Sequence, residues 1–90
     1  MNIKLSELNS MLIEADIEGL IRLGAPQDEY LNEAAQIIAA IENMESGEVN
    51  EDSILATISY VWVNSFELTK EELELRVPAI KHLAKRIIST

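Results

Sequence analysis

Three acidic residues close to residue 30 have the types and spacing to hold a metal ion. Glu29 and Glu33 lie four positions apart and Asp28 precedes them, a spacing that places both glutamates on one face of a helix. Carboxylate oxygens are the ligands that Mg²⁺ prefers, so the trio raises the hypothesis of a magnesium-dependent phosphohydrolase. Such a site also needs carboxylates from a second helix, and the next acids cluster at the far end of the same helix. A solvated helix face is therefore favoured, with no metal or other cofactor expected.

The single histidine, His82, is the other candidate for catalysis. A catalytic imidazole needs an orienting carboxylate, and no acid follows Glu74 in the sequence. We therefore expect His82 to be an exposed surface residue. The chain has no cysteine, which removes disulfides, thiolate catalysis and zinc–thiolate sites. These features favour a protein that is not an enzyme.

Tyr60 and Trp62 indicate binding rather than catalysis. A helix turns by about 100° per residue, so side chains two positions apart point about 200° away from each other. Both rings cannot face one core, and we expect one of them to lie at the surface. Because exposed aromatic residues often anchor protein interfaces, Tyr60 and Trp62 are the candidate interface residues.

Composition limits the classes of partner. Ninety residues with 48% apolar content are expected to form one domain over residues 1–90. The net charge of −9 disfavours nucleic acids, whose affinity for proteins comes from lysine and arginine. No apolar run approaches the roughly 20 residues that span a bilayer, and the first residues show no secretion signal. We expect a cytoplasmic protein that binds a protein partner or self-associates.

Charge is unevenly distributed along the chain. All sixteen acids lie at or before Glu74, and the basic residues Arg76, Lys81, Lys85 and Arg86 follow it. Basic residues near the end of a helix stabilise its dipole, which is the favoured interpretation. A basic docking strip is the alternative.

The stretch over residues 54–66 contains the only tryptophan and the only phenylalanine and is expected to lie at the centre of the fold. Its branched and aromatic residues would suit a strand. Its apolar residues recur at helical spacing, however, and Asn50 is a good N-cap for a helix. We predict a helix from about Glu51 to Phe66.

Three further helices complete a predicted all-α bundle of four main helices. They cover residues 3 to 15, residues 26 or 28 to 44 or 45, and the segment that follows Thr69. Asp16 to Gly19 should break the chain after the first helix, and residues 20–23 should pack as a short apolar turn under the core. Thr69 and Glu72 fit a capping box. Pro78 lies inside the last helix, where it should cause a kink rather than a restart.

The segment Gly24–Tyr30, which reads GAPQDEY, resembles a signature of the YugE-like family of small bacterial proteins. In that family a chain break comes before this segment and an aromatic pair comes after it. Here the break at Asp16 to Gly19 and the pair Trp62 and Phe66 stand in the same order. The resemblance spans most of the chain. It implies a small all-helical protein and assigns no activity.

Three functions remain open at this point. The first is a non-enzymatic protein–protein interaction module. The second is an acidic inhibitor of the immunity or antitoxin type that masks a basic partner. The third is the magnesium-dependent phosphohydrolase based on Asp28, Glu29 and Glu33.

Overall fold

The computed structural model describes residues 3–90, which form four α-helices and contain no strand. The helices are α1 (Leu5–Ala15), α2 (Leu31–Glu42), α3 (Glu51–Phe66) and α4 (Lys70–Ile88). A short 3-10 helix, Ser46–Glu48, precedes α3. The all-α class and the four main helices predicted from the sequence are confirmed.

The helices pack as a ring. α3 packs mainly against α2 and α4, and α1 packs mainly against α2 and α4. The radius of gyration is 12.3 Å, close to the value of about 12 Å expected for a compact domain of this length. Within the described residues, no helix combines the length and the apolar character that a bilayer crossing requires.

All four helices contribute to one hydrophobic core. Trp62 is its largest fully buried side chain, and Tyr30, from the turn before α2, is buried beside it. The buried apolar residues are Leu8, Leu12, Tyr30, Ala34, Ile37, Ile41, Ile54, Ile58, Val61, Trp62, Ile80, Leu83, Ala84 and Ile87. The stretch over residues 54–66 is therefore central to the core, as expected.

Local capping explains why α3 is a helix despite its strand-forming residues. The Asn50 side chain accepts a hydrogen bond from the Ser53 amide (2.9 Å), and the Asn50 amide donates to the Ser53 hydroxyl (3.0 Å). Both bonds satisfy amide groups that have no partner inside the first turn. Glu67 ends the helix in the left-handed conformation, with φ at 51°.

α4 begins at the predicted capping box. The Thr69 hydroxyl accepts from the Glu72 amide (3.1 Å), and the Thr69 amide donates to the Glu72 carboxylate (2.9 Å). The helix then runs without interruption through Pro78 to Ile88, so it does not restart at the proline. The bend that the sequence predicts near Pro78 stays a prediction.

Removing the cap of α4 should lower stability. We expect Thr69→Ala to reduce the free energy of unfolding by about 1 kcal/mol, because one amide of the first turn loses its acceptor. Urea denaturation followed by far-UV circular dichroism measures this loss. Thr69→Ser, which keeps a hydroxyl, is the matched control and should stay close to wild type. Coincident midpoints for wild type and Thr69→Ala would show that the cap contributes nothing.

The predicted start of α2 at Pro26 or Asp28 is wrong. The segment before Leu31 forms turns, in which the Glu29 amide bonds the Pro26 carbonyl and the Leu31 amide bonds the Asp28 carbonyl, both at 3.0 Å. The physical reason is tertiary, because the Tyr30 ring is buried in the core and its hydroxyl is held by a residue outside the helix. α2 also ends at Glu42, earlier than predicted.

The break after α1 is confirmed. Asp16 caps α1 in the left-handed conformation, with φ at 42°, and Gly19 has a φ of 73° that favours glycine. Leu20 and Ile21 pack against the core as expected. Leu23, expected beside them, is instead exposed.

Candidate functional site

The three candidate metal ligands are not arranged as the sequence suggested. Asp28 and Glu29 lie exposed in the turn before α2, and only Glu33 is helical. Glu33 is also not on a solvated face, since it is only 9% exposed. It lies one turn before Ile37 on the buried side of α2, which explains its burial. Among residues 3–90, no group of three or more Asp, Glu, His or Cys side chains could hold a metal ion.

Asp16 is held by a dense set of hydrogen bonds that sequence reasoning missed. Its carboxylate accepts from the Tyr30 hydroxyl (2.7 Å) and from the backbone amides of Ile21 (3.0 Å) and Arg22 (3.1 Å). The Arg22 guanidinium adds a longer bond of 3.3 Å. One buried carboxylate therefore ties the turn after α1 to Tyr30, the last residue before α2.

Protonation in this cluster is well defined. Burial alone would raise the pKa of Asp16, but the hydrogen bonds from Tyr30, Ile21 and Arg22 outweigh it and lower that pKa below its usual value. Burial, together with the hydrogen bond to Asp16, raises the pKa of the Tyr30 phenol. At neutral pH the pair is a carboxylate and a neutral phenol. This pairing suits a structural role better than proton transfer.

Glu18 forms a second polar cluster with two helices. Its Oε2 accepts from the Trp62 indole N–H at 2.8 Å and from Arg76 Nε, while its Oε1 accepts from Arg76 Nη2 at 3.0 Å. Arg76 Nη1 donates to the Glu72 carbonyl at 2.8 Å. The hydrogen bond with Glu18 raises the pKa of Arg76. Glu18 thus joins the α1–α2 connection to α3 and α4.

The two polar clusters meet at the aromatic part of the core. The rings of Tyr30 and Trp62 stack with centroids 5.8 Å apart, and Phe66 lies 5.0 Å from Trp62. Tyr30 bonds Asp16 and Trp62 bonds Glu18, so the polar group of each of these two buried rings has a partner. The clusters stabilise the fold and present no free reactive group.

The two candidate interface residues differ in exposure. Tyr60 is 73% exposed and Trp62 is 0% exposed, as expected for side chains that point about 200° apart on one helix. Trp62 is therefore part of the core and cannot serve as an interface anchor in this fold. Tyr60 remains the candidate, and His82 is exposed as expected.

Tyr60 borders an open groove of about 620 Å³ between α2 and α3. Three alanines line it, and the exposed surface there is largely apolar. The residues of this α2–α3 groove are Gln36, Ala39, Ala40, Ala56, Thr57, Tyr60 and Val61.

A second groove lies on the other side of α2. It encloses about 710 Å³ and is lined by Ile3, Lys4, Leu5, Ala35, Ile38, Ala39 and Glu42. Its lining includes one charge of each sign and no aromatic residue. It is therefore a less distinctive surface than the α2–α3 groove.

The α2–α3 groove lies in the most acidic part of the chain. Residues 23–69 contain nine Asp and Glu residues and no Lys, Arg or His. Both helices that line the groove belong to this segment. The surface therefore combines an exposed aromatic ring with small apolar residues, and it is formed by a segment whose only charged side chains are acidic.

Comparison with known proteins adds no assignment. No protein-family model, curated protein or solved structure matches the chain. The resemblance to the YugE-like family stays an expectation from the sequence. The α2–α3 groove with Tyr60 is the candidate functional site on its geometry alone.

Sequence reasoning missed Glu18 and Arg76 as partners. A buried tryptophan needs a hydrogen-bond acceptor for its indole N–H, and this was the one available signal. This need does not identify Glu18 as the acceptor, because Glu18 lies 44 sequence positions from Trp62 and 58 from Arg76.

Proposed function

We propose that this protein is a cytoplasmic, non-enzymatic interaction module that binds a basic segment of a partner protein in its α2–α3 groove. The observation that carries the proposal is Tyr60, a 73% exposed aromatic residue on an apolar groove within a segment free of basic residues. Exposed aromatic residues surrounded by polar groups are typical centres of protein interfaces. The lack of cysteine fits a reducing compartment.

The charge of the chain favours a different protein over a second copy as the partner. Two copies with a net charge of −9 each repel one another, whereas a basic partner is attracted and its association is accelerated. Screening by salt weakens this attraction, because the Debye length falls as ionic strength rises. Binding should therefore be strongest at low salt.

Fluorescence anisotropy with labelled model peptides tests the proposal. We expect a peptide of lysine and leucine to bind the protein, and the same peptide with glutamate in place of lysine not to bind. Tyr60→Ala should weaken binding about tenfold, as expected for an interface anchor. Leu75→Ala is the matched control, because Leu75 is an 80% exposed apolar residue on α4 outside the groove. Equal affinities of the two variants for the lysine peptide would contradict the proposed site.

The same acidic surface supports the second candidate function, an inhibitor of the immunity or antitoxin type. In that case the basic partner should lose an activity when the groove is occupied, and Tyr60→Ala should restore the activity. The phosphohydrolase is not favoured, because Asp28 and Glu29 lie in a turn and do not share a helix face with Glu33. Membership of the YugE-like family is part of the proposal and rests on the sequence motifs alone.

A further inference from the structure

We infer that the segment bound in the α2–α3 groove is a single amphipathic α-helix, with basic residues at both ends of an apolar stripe. The inference rests on the proposed function and adds the secondary structure and the charge pattern of the partner. It follows from the backbone of the two lining helices, the small lining residues and the acidic residues of the segment that forms the groove.

The groove offers no backbone partner to an extended chain. Its walls are α2 and α3, whose amides and carbonyls are paired within each helix, and the part of the chain described here has no strand edge. An extended segment would lose water from its own backbone groups and would find only the side chains of Gln36, Thr57 and Tyr60 as hydrogen-bond partners. A helix satisfies its backbone internally, so it can bury one face at no such cost.

The lining residues suit the approach of a third helix. Ala39, Ala40 and Ala56 have small side chains, which permit interhelical distances of about 8–10 Å. Tyr60 projects beside them and can contact the side of the bound helix. The lining runs over residues 36–40 of α2 and 56–61 of α3, which is about 9 Å of helix, so it can contact about two turns of a partner.

Acidic residues lie on both sides of the lining positions along the chain. Asp28 and Glu29 precede α2, while Glu42, Glu45 and Asp52 lie around its other end and the start of α3, and all five are exposed. A complementary helix therefore carries lysine or arginine near both ends and apolar residues at i, i+4 and i+7 between them.

Two peptides of identical composition test the inference. In the first, leucines at helical spacing form one face and lysines flank them at both ends over about 14 residues. In the second, the same residues are rearranged so that leucine and lysine alternate, which removes the helical stripe. We expect the first peptide to bind the wild-type protein at least tenfold more tightly in fluorescence anisotropy.

Two arginine variants locate the binding site. Ala56→Arg places a long basic side chain in the groove and should weaken binding of the first peptide at least tenfold. Ala79→Arg makes the same change of charge at an exposed position of α4 and should bind close to wild type. Circular dichroism verifies that both variants fold. If Ala56→Arg does not fold, Tyr60→Ala takes its place in the test.

Three results would overturn the inference. Equal affinity for the two peptides, with Tyr60→Ala still weakening both, would reject a helical partner and leave the proposed function intact. If the wild-type protein sediments as a dimer, and Ala56→Arg but not Ala79→Arg disrupts that dimer, a second copy of the chain occupies the groove. No binding of either lysine peptide would reject both the inference and the proposed function.

Discussion

Trp62→Ala should destabilise the protein by about 3–5 kcal/mol, as is typical when a large aromatic side chain is removed from a core. Trp62 is fully buried, and its ring packs against Tyr30 and Phe66. Because small domains are stable by only about 5–15 kcal/mol, the variant should lose a large share of its stability. Urea denaturation followed by far-UV circular dichroism measures the loss without relying on tryptophan fluorescence.

Tyr60→Ala is the matched control for this prediction. It removes an aromatic ring two positions away on the same helix, but that ring is mostly exposed, so the change should lie within about 0.5 kcal/mol of wild type. Comparable losses for the two variants would contradict the assignment of Trp62 to the core. The same pair of variants separates stability from binding, because only Tyr60→Ala is expected to leave a folded protein with a weakened groove.

The second large effect is expected for Glu18→Ala, which should lower the free energy of unfolding by about 1–3 kcal/mol. The substitution leaves the Trp62 indole N–H and the Arg76 guanidinium without their shared acceptor. A buried donor that loses its partner keeps its desolvation penalty, and this is the source of the cost. Equilibrium urea denaturation is again the measurement.

Glu14→Ala is the control for Glu18→Ala. Glu14 pairs with Arg86 at 2.9 Å, but both side chains are more exposed than those of the Glu18–Arg76 pair. Pairs of this kind contribute about 0.2–1 kcal/mol to the free energy of unfolding, so Glu14→Ala should have the smaller effect.

A double-mutant cycle of Glu18→Ala with Arg76→Ala should show a coupling energy of about 0.5–3 kcal/mol. Additive losses would mean that the Glu18–Arg76 pair contributes nothing.

The two clusters have structural roles, and the groove is the proposed binding surface. Asp16 and Glu18 accept hydrogen bonds from the buried side chains of Tyr30 and Trp62. Because both carboxylates are largely covered, they have little access to a partner protein. Tyr60 contributes its ring to the surface instead. This division is the reason that substitutions in the groove can test binding without changing the fold.

Local sequence determined which segments of this protein are helical. Asn50 and Thr69 cap α3 and α4 through residues three positions away, so both starts could be predicted from neighbouring positions. The spacing of apolar residues predicted the all-α class. It also predicted that Tyr60 and Trp62 could not both be buried, since this depends only on the rotation per residue.

Only the tertiary structure decided where α2 begins and which residues share a site. Tyr30 leaves the helix because its ring is buried in the core and its hydroxyl bonds Asp16, and neither contact can be read from neighbouring residues. Which of Tyr60 and Trp62 faces inward depends on how α3 packs between α2 and α4. Glu18 and Arg76 meet across 58 positions of the chain, and a pairing over that distance depends on the packing of the helices, which local spacing does not specify.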